Sequence, residues 1–303
     1  MRDSKALFFR AAMAVVNCLL FAQPSDGAVA TRSESFVEVP GSRLYYEECG
    51  TGDQAVVLIH DGVVNSAVWD DVWPEFCRYF HTIRYDRRGY GRSLESSVSY
   101  FEVDDLTAVL RHSHVAQVTL VGSSHGGELS IDFTLAHPKS VRQLVLVGPV
   151  VSGMPYSQHF LERGSHAFKL LGQGDVRGAI SEWSQDKYLI APGNDAARKR
   201  LLGLLLANPK DMAHQDHLLR LKPALPRLHE IQVSTLILVG DADIPDVHAH
   251  AGAIEAGIPN ARRVVVEGVG HIMYLEKPAE FCRLVIGFIR VNDYSMDHDN
   301  EMK

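Results

Sequence analysis

The chain is short of cysteine, of surplus positive charge and of long apolar runs, and each shortage excludes a class of protein. Four cysteines in 303 residues are too few for the disulfide framework on which small secreted domains depend. Lysine and arginine number 30 against 37 acidic residues, so the chain lacks the positive surface that nucleic-acid binding requires. The apolar run at residues 11–22 is shorter than the about 20 residues that span a bilayer, so we expect no stable membrane span.

Side chains with the spacing of metal ligands are also missing. Cys49, Cys77 and Cys282 follow the N-terminal segment, and none of them has a second ligand at the spacing of a metal site. Cys77 and Cys282 each fall in a run with helical apolar spacing, which indicates two buried thiols. His248 and His250 stand two residues apart on a predicted helix and so face different ways, which indicates solvent-facing histidines. We therefore expect no metal site.

The first thirty residues have the composition of a targeting segment. A start with three basic residues precedes the apolar run at residues 11–22, and Ala28-Val29-Ala30 forms a small-x-small cleavage site. These features predict a signal peptide over residues 1–30 and export to the periplasm or the medium after cleavage near Ala30. An uncleaved N-terminus that keeps the protein associated with a membrane is the alternative.

Strands and helices alternate along the rest of the chain. Apolar positions with helical spacing, as at Val103, Leu106 and Leu110, separate most of the runs that read as strands. The alternation predicts an α/β fold with a doubly wound, mostly parallel sheet and a site at the carboxyl ends of its strands. The predicted strands are short, β-branched or aliphatic runs bounded by turn residues, at 36–39, 44–48, 55–59, 82–85, 118–121, 144–147, 235–239 and 263–266.

One stretch, residues 151–225, has helical runs but no strand pattern. Because it lies between two strands of the same sheet, we interpret it as a helical cap inserted over their carboxyl ends. The core of the fold then comprises residues 31–150 and 226–292. A polar tail, which we expect to be frayed, covers residues 293–303.

A strand runs directly into a short glycine-flanked segment that predicts a nucleophile. Thr119-Leu120-Val121 precedes Gly122-Ser123-Ser124-His125-Gly126, which fits the G-x-S-x-G pattern of a nucleophile elbow. The turn is so sharp that only glycine, two residues on either side of the serine, avoids collision with the neighbouring strand and helix. The pattern and its place between a strand and a helix predict Ser124 as the nucleophile.

A serine hydroxyl needs a base, and the base needs a carboxylate that orients it. Gly270-His271 follows the last predicted strand and precedes the last helix, which favours His271 over the other histidines as general base. Asp241, Asp243 and Asp246 compete for the third role on the loop after the preceding strand. We favour Asp243, with Asp241 fixing the turn and Asp246 acting as N-cap of the following helix.

Backbone amides are needed to stabilise the oxyanion that forms when a serine attacks a carbonyl. One predicted donor is the N–H of His125, directly after the nucleophile. The other belongs to the loop His60-Asp61-Gly62-Val63, where either Gly62 or Val63 could point inward. We favour Gly62.

Taken together, these residues resemble the α/β-hydrolase superfamily in its lineage with a helical cap. The resemblance covers about residues 35–292 and is carried by His60-Asp61-Gly62, the segment from Tyr85 to Ser93, the Ser124 elbow, Asp243 and Gly270-His271. It implies that Asp86, Arg88 and Ser93 belong to a structural turn beside the site. Within the superfamily the chain is similar to 3-oxoadipate enol-lactonase-like hydrolases and general carboxylesterases.

The resemblance implies a serine hydrolase without a cofactor, acting on a small-molecule ester or lactone through an acyl-enzyme on Ser124. Serine at the elbow disfavours relatives that carry aspartate there. A C–C bond hydrolase, an aminopeptidase and a cofactor-free haloperoxidase are alternatives on the same fold. A ligand-binding module without activity is the non-enzymatic alternative, because this fold also hosts receptors.

Overall fold

The computed structural model describes residues 32–212 and 217–301, with side chains described as far as Val291. The predicted signal peptide and its cleavage site lie outside the described residues and stay predictions. Within the described part, no helix has both the length and the apolar character needed to cross a membrane.

The strands form one sheet of eight, and each predicted strand is present. Their order across the sheet is β1-β2-β4-β3-β5-β6-β7-β8. Antiparallel pairing joins β1 to β2 and β2 to β4, whereas all other neighbours are parallel. The predicted doubly wound, mostly parallel sheet is therefore confirmed. The strands are β1 (Arg32–Val39), β2 (Ser42–Cys49), β3 (Ala55–Ile59), β4 (His81–Tyr85), β5 (Val118–Ser123), β6 (Val141–Val147), β7 (Thr235–Gly240) and β8 (Ala261–Val266).

Helices connect the strands and cover both faces of the sheet. The helices that precede β6 are α1 (Trp73–Tyr79), α2 (Glu102–His112) and α3 (His125–Ala136). Those between β6 and β7 are α4 (Gln158–Arg163), α5 (Ser165–Gly172), α6 (Val176–Ser184) and α7 (Asp195–Ala207). The remainder are α8 (Pro245–Gly257), α9 (Met273–Glu276) and α10 (Pro278–Glu301). The last helix thus continues past Asn292, where the polar composition predicted a frayed tail.

Two hydrophobic clusters pack on opposite faces of the sheet. Along β3, Val56 and Leu58 belong to one cluster, and the alternating residues Val57 and Ile59 belong to the other. All four side chains are fully buried. This burial on both faces explains why the central strands are unbroken apolar runs instead of alternating apolar and polar residues.

The segment predicted as a cap is built from α4 to α7 and is anchored on the core. Gly164 separates α4 from α5, so the first helical part of this segment forms two short helices. Ile180 of α6 and Leu201 of α7 belong to the same hydrophobic cluster as the sheet residues of one face. The segment is therefore packed against the core by apolar contacts and is more than a surface loop.

The cysteines differ from the sequence prediction in one respect. Cys49 at the end of β2 and Cys77 in α1 form a disulfide, with their Cα atoms 5.4 Å apart. The prediction of a buried thiol at Cys77 is therefore wrong, because apolar spacing indicates burial but not which cysteine lies opposite. Cys282 is a free, buried thiol as predicted, and burial raises its pKa to about 12.

Candidate active site

The elbow predicted around Ser124 forms between β5 and α3. Ser124 has φ 51° and ψ −113°, a left-handed conformation that L-residues rarely adopt and that costs about 1–3 kcal/mol. Its N–H donates to the Val147 carbonyl at 2.9 Å, and its own carbonyl accepts from Gly127 and Glu128. These hydrogen bonds from both sides hold the serine in its strained conformation.

The glycines on either side of Ser124 have the steric role that the motif predicts. A Cβ on Gly122 would collide with the Gly126 carbonyl oxygen and with the Ser130 hydroxyl. A Cβ on Gly126 would lie 2.6 Å from the carbonyl oxygen of His60, which is also too close. Strand β5, helix α3 and the loop after β3 therefore meet at this turn without space for a side chain.

His271 and Asp243, predicted as base and orienting acid, are in direct contact. His271 Nδ1 lies 2.8 Å from Asp243 Oδ2, and Asp243 Oδ1 accepts the N–H of Ile244 at 2.7 Å. Both side chains are buried. Burial disfavours the charged imidazolium, but the charge and hydrogen bond of Asp243 outweigh it, so the pKa of His271 is raised.

The competing acids have other partners. Asp241 fixes the turn as predicted, because backbone N–H groups led by that of Gly268 hold its carboxylate and lower its pKa. The N-cap prediction for Asp246 is wrong. The helix begins at Pro245, and the buried Asp246 carboxylate accepts the N–H and hydroxyl of Ser157 at 2.6 and 2.7 Å, which ties the start of α4 to α8. Proline at the first helical position was the signal in the sequence.

The prediction of solvent-facing histidines on α8 is wrong for His250 and is not met by His248, which is half-buried. His250 is buried, and its Nδ1 accepts the N–H of Val151 at 3.0 Å. Burial lowers the pKa of His250, which favours the neutral ring that this acceptor role requires. His250 therefore fastens the chain where it leaves the sheet after β6.

Gly148 is a site residue that the sequence analysis missed. It follows β6 directly, with a left-handed φ of 51°. A Cβ on Gly148 would lie 2.9 Å from His271 Nδ1 and 3.2 Å from Asp243 Oδ2. The pair of side chains therefore needs a glycine beneath it, and the only signal was a glycine at a strand end.

Glu276 is a second missed residue, and with the cap it fixes the loop that carries His271. The His271 N–H donates to the carbonyl of Tyr188, in the cap, at 2.8 Å. Glu276 accepts the Gly270 N–H at 2.6 Å through one oxygen and the Ala191 N–H at 2.8 Å through the other. No short motif in the sequence points to these contacts, because they join segments far apart along the chain.

The loop after β3 places Gly62 next to His125, the other residue predicted to supply an oxyanion donor. A Cβ on Gly62 would lie 3.7 Å from His125 Nδ1. The Asp61 carboxylate accepts the N–H of Val63 at 2.6 Å and of Val64 at 3.1 Å. The Gly62 N–H has no such acceptor among the described residues, which favours Gly62 over Val63.

The turn that follows β4 is held by buried polar contacts, in agreement with a structural role. Asp86 accepts the N–H and the hydroxyl of Ser66 at 2.9 and 2.6 Å. Arg88 forms a two-pronged ion pair with Asp105 at 2.6 and 2.7 Å. The Ser93 hydroxyl donates to the Asp86 carbonyl at 2.6 Å. These contacts stiffen the wall beside the site.

A cavity of about 520 Å³ is lined by four of the five predicted site residues, all but Asp243. These four are Ser124, His271, Gly62 and His125, and cap residues that include Phe160, Arg163 and Trp183 also line the cavity. The wall is mainly apolar, with a few polar groups. Within residues 32–212 and 217–301, no group of three or more histidine, cysteine or acidic side chains could hold a metal ion.

Comparison with known proteins shows the family. A sequence model of the alpha/beta hydrolase family matches residues 56–284. A 2-hydroxy-6-oxononadienedioate/2-hydroxy-6-oxononatrienedioate hydrolase of Escherichia coli is 27% identical, over 88% of this chain and 98% of the relative. Among solved structures, an N-acyl homoserine lactone degrading enzyme is 28% identical with a TM-score of 0.68, over 84% of this chain and 100% of the other. An esterase from Exiguobacterium antarcticum shares the fold, with 23% identity and a TM-score of 0.73 over 85% and 100% of the two chains. The chain belongs to the alpha/beta hydrolase family.

Proposed function

We propose that this protein is a serine hydrolase that cleaves a carboxylic ester or a lactone through an acyl-enzyme on Ser124. The observation that carries the proposal is the strained serine at the elbow, which opens into the same cavity as a histidine bonded to a buried carboxylate. This is the set of groups that acyl transfer requires.

The geometry supports a definite role for each group. Asp243 engages Nδ1 of His271, which leaves Nε2 to take the proton of Ser124 as its oxygen attacks the substrate carbonyl. Backbone N–H groups of Gly62 and His125 stabilise the oxyanion, the latter at the positive end of helix α3. The leaving group departs with the proton held by His271, and water repeats the sequence to release the acid. No cofactor takes part in these steps.

Two relatives support different bonds as the target. The solved structure at 28% identity is named for degrading a lactone, which supports hydrolysis of an ester or a lactone. The Escherichia coli relative is named for hydrolysing an oxo-dienedioate, which supports C–C bond hydrolysis as the second candidate. Assays of purified protein with a panel of aryl esters, lactones and that oxo-dienedioate would rank the candidates by kcat/KM.

Labelling with a fluorophosphonate probe tests the nucleophile without a known substrate. We expect covalent labelling of the native chain and none of Ser124→Ala. Ser123→Ala is the matched control, because the Ser123 hydroxyl bonds Tyr274 at 3.1 Å and does not line the cavity. A folded native chain that does not label would favour the ligand-binding module.

We also propose that the protein is exported. The predicted signal peptide motivates the proposal, and the disulfide between Cys49 and Cys77 supports it, because structural disulfides persist mainly in oxidising compartments. The alternative of membrane association through an uncleaved N-terminus is distinguished by the N-terminal residue of the native protein.

A further inference from the structure

Arg163 is a largely buried cation in the wall of the candidate active-site cavity. It ends helix α4, its side chain is 10% exposed, and it lines the same cavity as Ser124 and His271. The ring of Trp183 packs beside its guanidinium, with 5.1 Å between the guanidinium carbon and the ring centre. Packing of this kind holds the planar group in one orientation.

One nitrogen of this guanidinium lacks an acceptor. Nε donates to Asp186, but Nη2 is buried and forms no hydrogen bond with any described residue. Buried N–H groups in folded proteins nearly always have a partner, and exceptions call for an explanation. Because Arg163 lines the substrate cavity, a substrate that brings an acceptor to the guanidinium would explain the unused donor.

The Asp186 carboxylate also accepts hydrogen bonds from the backbone. Its second oxygen accepts the N–H groups of Tyr188 and Leu189 at 2.7 and 3.1 Å, so it holds the cap segment that contacts the His271 loop. Asp186 itself does not line the cavity. Its carboxylate therefore keeps Arg163 in place through Nε alone.

The other charged side chains that line the cavity do not compete for this role. Arg220 and Glu128 lie 3.6 Å apart and balance each other, and Arg220 is mostly exposed. The positive charge of Arg163 acts to lower the pKa of His271, against the larger effect of Asp243. Because Arg163 and His271 line the same cavity, one small molecule can contact both.

We propose that Arg163 is a specificity residue that binds a carboxylate on the substrate, so that the preferred ester or lactone carries a second, negatively charged acid group. The inference rests on the proposed acyl transfer at Ser124. A planar guanidinium matches the geometry of a carboxylate, and hydrogen bonds to a charged group in a partly dry site are strong. The apolar remainder of the cavity then holds the chain that links the two groups.

Matched pairs of substrates test the proposal. One pair is the mono-p-nitrophenyl ester of adipic acid and the neutral ester in which an isopropyl group replaces the carboxylate. The other is the acetate ester of p-hydroxybenzoic acid and p-isopropylphenyl acetate, which moves the charge to the leaving group. We expect native enzyme to prefer the charged member of at least one pair, and Arg163→Met to reduce that preference, as a ratio of kcat/KM values, by about tenfold to a hundredfold.

Controls separate recognition from damage to the cap. Arg177→Met removes an exposed cation from α6, outside the cavity, and should leave the preference unchanged. The double variant Arg163→Met with Asp186→Asn leaves no buried carboxylate unpaired and should lose the preference as the single variant does. Calorimetric binding of the adipic ester to Ser124→Ala, with and without Arg163→Met, gives a readout that does not depend on turnover.

The outcomes distinguish failure of this inference from failure of the proposed function. Hydrolysis of the neutral esters without any preference for a charged partner, or a preference that survives Arg163→Met, would overturn the role of Arg163 alone. Absence of hydrolysis and of probe labelling would overturn acyl transfer at Ser124 and leave carboxylate binding to be judged by calorimetry.

Discussion

The Nδ1 nitrogen of His271 lies 2.8 Å from Oδ2 of Asp243, and the two side chains are buried together at the carboxyl end of the sheet. The carboxylate only accepts, so Nδ1 carries the hydrogen and the tautomer of the ring is fixed. In the proposed mechanism, the buried charge next to the ring also compensates the imidazolium that forms during acyl transfer. This relationship underlies the first two predictions.

Replacement of Asp243 and of Asp241 by asparagine should have different effects on activity and stability. Asp243→Asn should lower kcat by about 10³- to 10⁴-fold, because the amide neither fixes the tautomer of His271 nor balances its charge. Asp241→Asn should act mainly on thermal stability, since Asp241 holds backbone N–H groups of the turn. Steady-state kinetics and thermal melts of both variants check this. The opposite ranking would assign the orienting acid to Asp241.

The pH dependence of activity should have one ascending limb. Only neutral His271 accepts the serine proton, so kcat/KM rises as pH increases through its pKa, which lies above the ordinary value of about 6.5. The raised pKa of His271 affects folding stability in the opposite direction, because stability declines as pH increases. The interaction with Asp243 adds most to the free energy of unfolding below about pH 6.5, and this contribution declines as pH rises through the raised pKa. A rate profile flat down to about pH 4 would remove His271 from the base role.

Gly148→Ala should damage catalysis more than stability. The added methyl would displace His271 from its contact with Asp243, and a displacement of about 1 Å can cost about 10²-fold in rate. Gly174→Ala is the matched control, because Gly174 also has a left-handed φ, 80°, but has no atom within 4 Å of the added carbon. Similar melting temperatures with a large difference in kcat are expected. Equal kcat values would show that the glycine serves the backbone alone.

Export should be visible in the native protein. The mature chain is expected to begin near Thr31, and non-reducing peptide mapping should link the peptides that contain Cys49 and Cys77. N-terminal sequencing of the periplasmic or secreted form provides the measurement. An intact Met1 on a soluble cytoplasmic protein with reduced cysteines would contradict the proposal.

Local patterns predicted the elements of this fold well, because each depends on neighbours along the chain. The apolar runs gave all eight strands, and the glycines around Ser124 gave the elbow. Contacts between distant segments left no such pattern. Cys49 lies opposite Cys77, and Glu276 reaches both the His271 loop and the cap, only because the folded chain brings them together. Periodicity reports that a side chain is buried, but its partner is a property of the tertiary structure.

The hydrogen bond from the His271 N–H to the Tyr188 carbonyl makes the cap and the proposed general base mechanically dependent on each other. A cap that swung open at Tyr188 would break the backbone anchor of the base and the Glu276 bridge beside it. The cap therefore has to stay in place at Tyr188 for the backbone of His271 to keep this anchor. The exposed Arg220 and Leu221 also border the cavity but form no described hydrogen bond with the His271 loop, so a movement of these two residues would leave that anchor intact.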